Sequence, residues 1–291
     1  MTILKPMGLQ SANTPTEFIN NAGWFAYEKK NGRSMLAEWD GQRLRLYNSS
    51  LGEVEWSGAV RRQLEERLPK GVAIPTLHGE LEPLPGGGYD TGIFWVWTHQ
   101  GEGNTRERAA DLYRMEIWGD NIQPCMPTVG KENKQKLHDD LYAEGAEGLV
   151  FWRLQASYPV GNGRTPDVFK YKFIESADCW VRDWRLTTTD VNGYRHGVAD
   201  VCVLDERGLP VYLCSPHIRE TEIKELERCD AQYGKGYGIL EVEYLYASNE
   251  SLIQPIVKIL RWDKVARPSQ EVITHKSALR VSRLFRKQEA Q

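Results

Sequence analysis

The sequence predicts an α+β protein of two domains, a mixed sheet-and-helix domain to about residue 184 and a small β-barrel after it. Three observations carry this expectation. Short alternating or apolar runs, punctuated by Gly, Asn, Asp and Pro, outnumber helical patterns along the chain. Before Trp184 the helical period recurs in only about three stretches. Beyond it, roughly five strand signals and one charged helix fall within about ninety residues, the content of a barrel of the oligonucleotide-binding (OB) type.

In chain order, residues 24–27, 34–38 and 43–47 read as strands, the last two joined by a hairpin turn at Trp39-Asp40-Gly41-Gln42. Residues 59–68 read as a helix, with Val60, Leu64 and Leu68 on one face. Strands follow at 72–82 and 93–98. Between them Pro85-Gly86-Gly87-Gly88 is flanked by strands and opens no helix, so it is expected as a turn and not as a phosphate cradle. Residues 106–118 and 131–144 have helical periodicity, and 149–154 and 168–173 are strands. The second domain, residues 185–275, carries strands at 198–204, 209–214, 238–247 and 257–261 and a helix at 220–229. Residues 276–291 form a basic tail with Lys276, Arg280, Arg283, Arg286 and Lys287, readable as solvated or as phosphate-contacting.

The chain has 291 residues, long enough to bury a sizeable core, and a net charge of −3, which argues against simple electrostatic glue for nucleic acid. No apolar window is long enough for a membrane helix, and the first residues lack a signal-peptide core. The five cysteines are scattered without the close pairs of a zinc site, so reduced thiols and a cytoplasmic monomer are expected.

Six short segments carry the chemistry: Lys29-Lys30-Asn31-Gly32, Gly79-Glu80-Leu81, Phe94-Trp95-Val96-Trp97, Glu147-Gly148-Leu149-Val150, Lys170-Tyr171-Lys172 and Arg261-Trp262-Asp263-Lys264. A lysine is a nucleophile only as the neutral amine, which desolvation or neighbouring cations favour. Lys29 closes an apolar-aromatic strand, and Lys170 and Lys172, two apart on a strand, present both ammonium groups to one face. Glu80 and Glu147 adjoin apolar strand sequence, where a carboxylate needs a partner, either a lysine or a divalent metal with phosphate. Trp97 lies on the same face as Trp95, as a platform for a base or as core. The set suits attack on a nucleoside triphosphate at its α-phosphorus, with magnesium (or manganese) offsetting phosphate charge.

In this order and spacing the segments resemble motifs I, III, IIIa, IV, V and VI of the covalent nucleotidyltransferases, and most of all those of ATP-dependent DNA ligases, over residues 1 to about 267. Lys5-Pro6-Met7 is similar to an opening found ahead of motif I in that family. The resemblance implies an adenylation (nucleotidyltransferase) domain of twisted antiparallel sheets with flanking helices, residues 1–184, followed by the OB-fold domain. It implies that Lys29, not Lys30, is adenylylated by ATP, so that Lys30→Ala should leave most nucleotide uptake in place. AMP then passes to the 5′-phosphate of a nick in duplex DNA, and the 3′-hydroxyl displaces it. By the same resemblance Glu80 contacts ribose or metal, Trp97 stacks on adenine, Glu147 binds metal, and Lys170 and Lys172 contact the α-phosphate. Arg33 is placed with the ATP-binding residues, and Arg261, Asp263 and Lys264 with those orienting pyrophosphate. Tyr158, Gly161 and Arg164 resemble the loop before motif V. Both domains are then expected to close for the first step, with a hinge near Trp184-Arg185-Leu186.

The chain departs from the family pattern at Asn31 for aspartate, Ser34 and Ser50 for arginines, and Trp152 for lysine, which thins the positive charge around the phosphates. Only residues 1–28 precede Lys29, as in compact viral or bacterial ligases, and a divergent viral or mobile-element enzyme acting in replication, repair or recombination is expected. Two other readings stand beside it: an RNA ligase or GTP-using capping guanylyltransferase with the same chemistry, and a nick-binding protein that kept the fold without full activity.

Overall fold

The computed structural model describes residues 4–6, 8–55, 58–84, 89–158, 164–248, 250–265 and 273–282. Pro85-Gly86-Gly87-Gly88, Gly161 and the basic residues Arg283, Arg286 and Lys287 lie outside the described residues, as does Met7. The chain divides into two compact units, Met1–Lys172 and Phe173–Gln291.

The first unit contains β1 (Gly8–Ser11), α1 (Thr16–Ile19), β2 (Trp24–Glu28), β3 (Arg33–Trp39), β4 (Leu44–Asn48), α2 (Gly58–Arg67), β5 (Ile74–Glu82), β6 (Ile93–His99), α3 (Thr105–Arg114), β7 (Ile122–Pro124), α4 (Lys131–Glu144), β8 (Gly148–Arg153) and β9 (Arg164–Lys172). They form a four-stranded sheet, β1-β9-β8-β2, and a five-stranded sheet, β4-β3-β5-β6-β7. Pairing is antiparallel except where β1 joins β9 and β7 joins β6.

Each sheet buries one side-chain row under helices and turns the other toward the candidate site. In the five-stranded sheet Met35, Leu77, Leu81 and Phe94 pack against Val60 and Leu64 of α2. Full burial of such side chains contributes about 1.5–3 kcal/mol each. In the four-stranded sheet Phe151 stacks on Phe18 of α1 and Phe169 lies tilted against it, while Phe25, Tyr27, Val150, Trp152 and Val168 form the opposite row. Helix α4 is held to that sheet by Lys134, whose buried ammonium donates to the carbonyls of Phe18 and Asn21 at 2.6 and 2.7 Å. Tertiary packing makes this lysine a cap for the carbonyls of α1 and the turn after it.

The helix expected over 106–118 stops at Arg114, because Met115 turns extended and Met115 and Trp118 pack into the five-stranded core instead. Helix α3 starts where an Asn104–Glu107 capping box satisfies its first amides.

The second unit contains β10 (Glu175–Thr189), β11 (Arg195–Leu204), β12 (Pro210–Cys214), β13 (His217–Arg219), α5 (Glu220–Tyr233), β14 (Ile239–Tyr244), β15 (Tyr246–Ala247), β16 (Leu252–Ile253), β17 (Ile256–Leu260) and α6 (Trp262–Val265). Its sheet order is β12-β11-β10-β14-β17, with β13 also on β11, and α5 lies between β13 and β14 in sequence. That is the order of an OB barrel. Its core includes Val181, Ala199, Val201, Leu226, Leu240 and Val242.

Two boundary expectations are corrected here. Residue 184 and the hinge expected at Trp184-Arg185-Leu186 fall inside β10, where Trp184, Arg185 and Leu186 pair with Ala199, Val198 and Gly197 of β11. Strand β10 escapes sequence reading because inward alternation (Ala177, Cys179, Val181) ends at Val181 and the remaining residues, 182–189, are mostly exposed. The expected tail also begins too early. Arg280 donates to the carbonyl oxygens of Phe173 and Leu245, and Leu279 is buried, so residues 276–282 belong to the barrel.

The five cysteines are free thiols. No helix among the described residues is long and apolar enough to cross a membrane.

Candidate active site

The row of the four-stranded sheet that starts with Phe25, Trp152 and Val168 continues two residues on with Tyr27, Val150 and Lys170. One step further the same face carries Lys29, Gly148 and Lys172, since the Lys29 amide donates to the Gly148 carbonyl at 2.9 Å. Gly148 has φ +152°, and a Cβ there would sit 2.0 Å from the Tyr171 carbonyl oxygen, so glycine is required for β8 to reach β9. Immediately before it, Glu147 Oε1 accepts from Lys29 Nζ at 2.9 Å and from Lys172 Nζ at 3.0 Å, with the carboxylate side chain only 3% exposed. Lys170 forms no ion pair among the described residues; burial, then the nearby Lys172 and Lys29, holds its ammonium below the ordinary lysine range.

The five-stranded sheet supplies the second wall. Glu80 lies opposite Ser34 on β3 and Trp95 on β6, so the three share one face. Glu80 Oε1 accepts the Gly32 amide at 2.8 Å. A Cβ at Gly32 would meet the Leu81 carbonyl oxygen at 2.1 Å, which explains glycine at the end of motif I. Burial pushes the Glu80 carboxyl up to about 7 against the opposing pull of Lys29 and the Gly32 amide. Ser34 Oγ is buried without a hydrogen-bond partner among the described residues, where the family pattern has an arginine.

Trp97 is half-buried. Its ring lies 5.6 Å from the His78 ring and packs on the row of Phe25, Tyr27 and Trp152, and its Nε1 has no partner among the described residues. Trp95 differs: Lys30 Nζ covers its ring at 3.6 Å, and its Nε1 donates to Glu82 Oε2 at 2.9 Å. Lys30, expected to be a bystander, is 5% exposed and paired with Glu28 at 2.6 Å.

Arg33 is not brought to the site. It pairs with Leu81, one residue out of phase with Ser34 and Glu80, and its guanidinium lies over the Tyr89 ring at 4.3 Å. The period of two therefore places it on the other sheet face. Trp152 is buried core, and the Tyr158 hydroxyl is tied to His78 Nδ1 at 3.1 Å; Arg164 is exposed at the start of β9. An open apolar groove of about 400 Å³ between α3 and residues 124–127 is lined by none of the motif residues.

In the second unit Arg261, Asp263 and Lys264 form one network. Arg261 NH1 donates to Asp178 Oδ1 at 2.9 Å, its NH2 to Asp263 at 2.8 Å, and Lys264 pairs with the other Asp178 oxygen. Asp263, then Asp178, raises the Arg261 pKa above its usual value. Asp178 was missed from sequence because β10 was; its only signal was a lone acid in an alternating run.

Among the described residues no group of three or more His, Cys, Asp or Glu side chains converges as a metal cage. Glu80 and Glu147 are mutually close enough to interact and offer only oxygen donors. That set fits magnesium, which binds through one or two carboxylates and completes its shell with substrate phosphate and water.

No protein-family model matches the sequence, and no relative was found among curated proteins. Solved structures do match. A Lig E DNA ligase, described as binding DNA with a minimal scaffold, aligns with TM-score 0.62 at 18% identity over 87% of this chain and 99% of its own. The ligase domain of LigD from M. tuberculosis aligns with TM-score 0.51 at 17% identity, covering 93% of this chain and 98% of its own. A mycobacterial DNA ligase D complexed with ATP and MES aligns with TM-score 0.50 at 18% identity over 93% and 98%. The architecture is thus that of a nucleotidyltransferase domain with an OB-fold barrel.

Proposed function

Starting from a fold shared with these ligases, we propose that the chain is an ATP-dependent DNA ligase that seals 5′-phosphate/3′-hydroxyl nicks in duplex DNA. One observation carries the reading: Glu147 Oε1 is shared by Lys29 and Lys172, in a pocket walled by Glu80 and with Lys170 beside it. A surface lysine at a strand end has no use for such surroundings.

In this reading Lys29 Nζ attacks the α-phosphorus of ATP. An N–P bond forms as the bond to the pyrophosphate oxygen breaks, and Glu147 Oε1 is the acceptor within reach of the proton the amine sheds. Lys170 and Lys172 hold the α-phosphate, and Trp97 stacks on adenine. Glu80 and Glu147 would hold magnesium, which when bound would neutralise charge on the triphosphate. Arg261 and Lys264 exchange Asp178 for the pyrophosphate oxygens, with Asp263 keeping the guanidinium aligned. A 5′-phosphate oxygen of the nick then attacks the AMP phosphorus and the N–P bond breaks, returning Lys29 to the amine. Last, the 3′-hydroxyl attacks the 5′-phosphorus, losing its proton as AMP leaves.

The test is intact mass of the protein before and after ATP with Mg²⁺, then with nicked duplex added. One AMP should be gained, then lost on adding the nick, and Lys29→Ala should gain none. Uptake persisting in that variant would overturn the assignment. Uptake from GTP alone would favour a capping enzyme, and no uptake from either a nick-binding protein.

A further inference from the structure

The residue after the proposed nucleophile is lysine, and the structure spends it inside the protein. Lys30 belongs to the loop between β2 of the four-stranded sheet and β3 of the five-stranded one. Its ammonium, 5% exposed by residue, donates to Glu28 Oε2 at 2.6 Å and sits 3.6 Å from the centroid of Trp95. Trp95 in turn donates its indole N–H to Glu82 Oε2 at 2.9 Å, and Glu82 also receives the Asn31 amide. The next residue, Gly32, gives its amide to Glu80 at 2.8 Å. Three consecutive residues of the loop are therefore tied to β5 and β6, one by side chain and two by main chain. Lys29 Nζ itself lies 3.4 Å from the Lys30 carbonyl oxygen.

We propose that Lys30 is a positioning residue: its ammonium, shared between Glu28 and the Trp95 face, clamps the loop that carries Lys29 across the two sheets and sets the line of the Lys29 amine. The physics favours a clamp over a bystander. A cation over an indole face is attracted by the ring quadrupole, most strongly where both are desolvated. The same cation stands between two acids, Glu28 and Glu82, that would otherwise face each other half-buried. Without it the acids repel, Trp95 loses its cover, and the side-chain tie from Lys30 to β6 is gone. The main-chain ties of Lys29, Asn31 and Gly32 remain, so the loop stays attached, but the Lys30 carbonyl beside the Lys29 amine is held less closely. Such a change acts on the approach of the amine more than on nucleotide affinity, because a small misplacement of a reacting group costs rate steeply.

This inference rests on the reading of Lys29 as the nucleophile, and its test separates the two. Lys30→Met, Lys30→Arg and wild type are compared by single-turnover nucleotide uptake from ATP across ATP concentrations. Lys30→Met should slow uptake at saturating ATP at least tenfold while the half-saturating ATP concentration moves less than threefold. Lys30→Arg, which keeps both the ion pair and the ring contact, should recover to within threefold of wild type. A merely structural role would move both parameters together and would not be rescued by arginine. In parallel, the Trp95 indole ¹⁵N–¹H resonance is followed in the free proteins; it should shift in Lys30→Met and return in Lys30→Arg. Uptake in Lys30→Met equal to wild type overturns the positioning role, and an unmoved Trp95 resonance overturns the clamp. A wild type that takes up nothing from ATP overturns the ligase reading and the role in the reaction, while a shifted Trp95 resonance would still show the clamp to exist.

Discussion

Replacing Glu147 by glutamine keeps its shape and removes the charge that faces two ammonium groups at 2.9 and 3.0 Å. With an effective dielectric near 20, each contact is worth about 5–6 kcal/mol of attraction before costs. Desolvation of a carboxylate that is 3% exposed offsets most of that, and removing one partner of a buried pair costs about 3–5 kcal/mol. Lys172 is 26% exposed, so water screens its share and the loss should fall at the low end, about 3 kcal/mol. The assay is urea unfolding, followed by tryptophan fluorescence, of wild type, Glu147→Gln, Lys29→Met and the double variant. The coupling between the two positions should be about 1–3 kcal/mol. A loss below about 1 kcal/mol in Glu147→Gln, or additive single effects, would refute the view that one oxygen holds both cations.

Gly148→Ala should lower stability by about 2–4 kcal/mol in the same assay, because its Cβ meets the Tyr171 carbonyl oxygen at 2.0 Å; a change under about 0.5 kcal/mol would contradict the close approach. Trp97→Ala should raise the ATP requirement about tenfold, the worth of one base–aromatic stack, while slowing sealing of a pre-adenylylated nick far less. Equal effects on both steps would remove the stacking role. Arg33→Ala should leave nucleotide uptake within about twofold of wild type, since its side chain lies on the other face of β3; a tenfold loss would show that face assignment to be irrelevant. Burial lowers the His78 pKa to about 4, so the folded state favours the neutral ring. The stability this brings is full above the unfolded value near 6.5 and is lost as pH falls from there toward 4. Between pH 7.5 and 5 wild type should lose about 2 kcal/mol more than His78→Gln; parallel pH profiles would show that His78 is protonated without penalty.

What was legible in the chain was whatever repeats along it. The strand period put Lys170 and Lys172 on one face, and helix α4 was read to its ends because a left-handed Gly145 closes it. The order of the six segments, and glycine at positions 32 and 148, followed from local chemistry that survives in the folded protein. The same period also carried the information that Arg33 and Ser34 face opposite ways, although the expected role of Arg33 ignored it.

What remained hidden was the choice of partner across distance in sequence. Nothing within the Lys29-Lys30 pair tells which ammonium meets Glu147 and which lies on Trp95, because that is decided by where two separate sheets bring residues more than sixty positions away. Asp178 was invisible for a similar reason: β10 is held by neighbours on both sides, β11 and β14, and needs no strong pattern of its own. Side-chain alternation is a property of the backbone and can be counted; desolvation and ion pairing depend on what arrives opposite, which only folding settles.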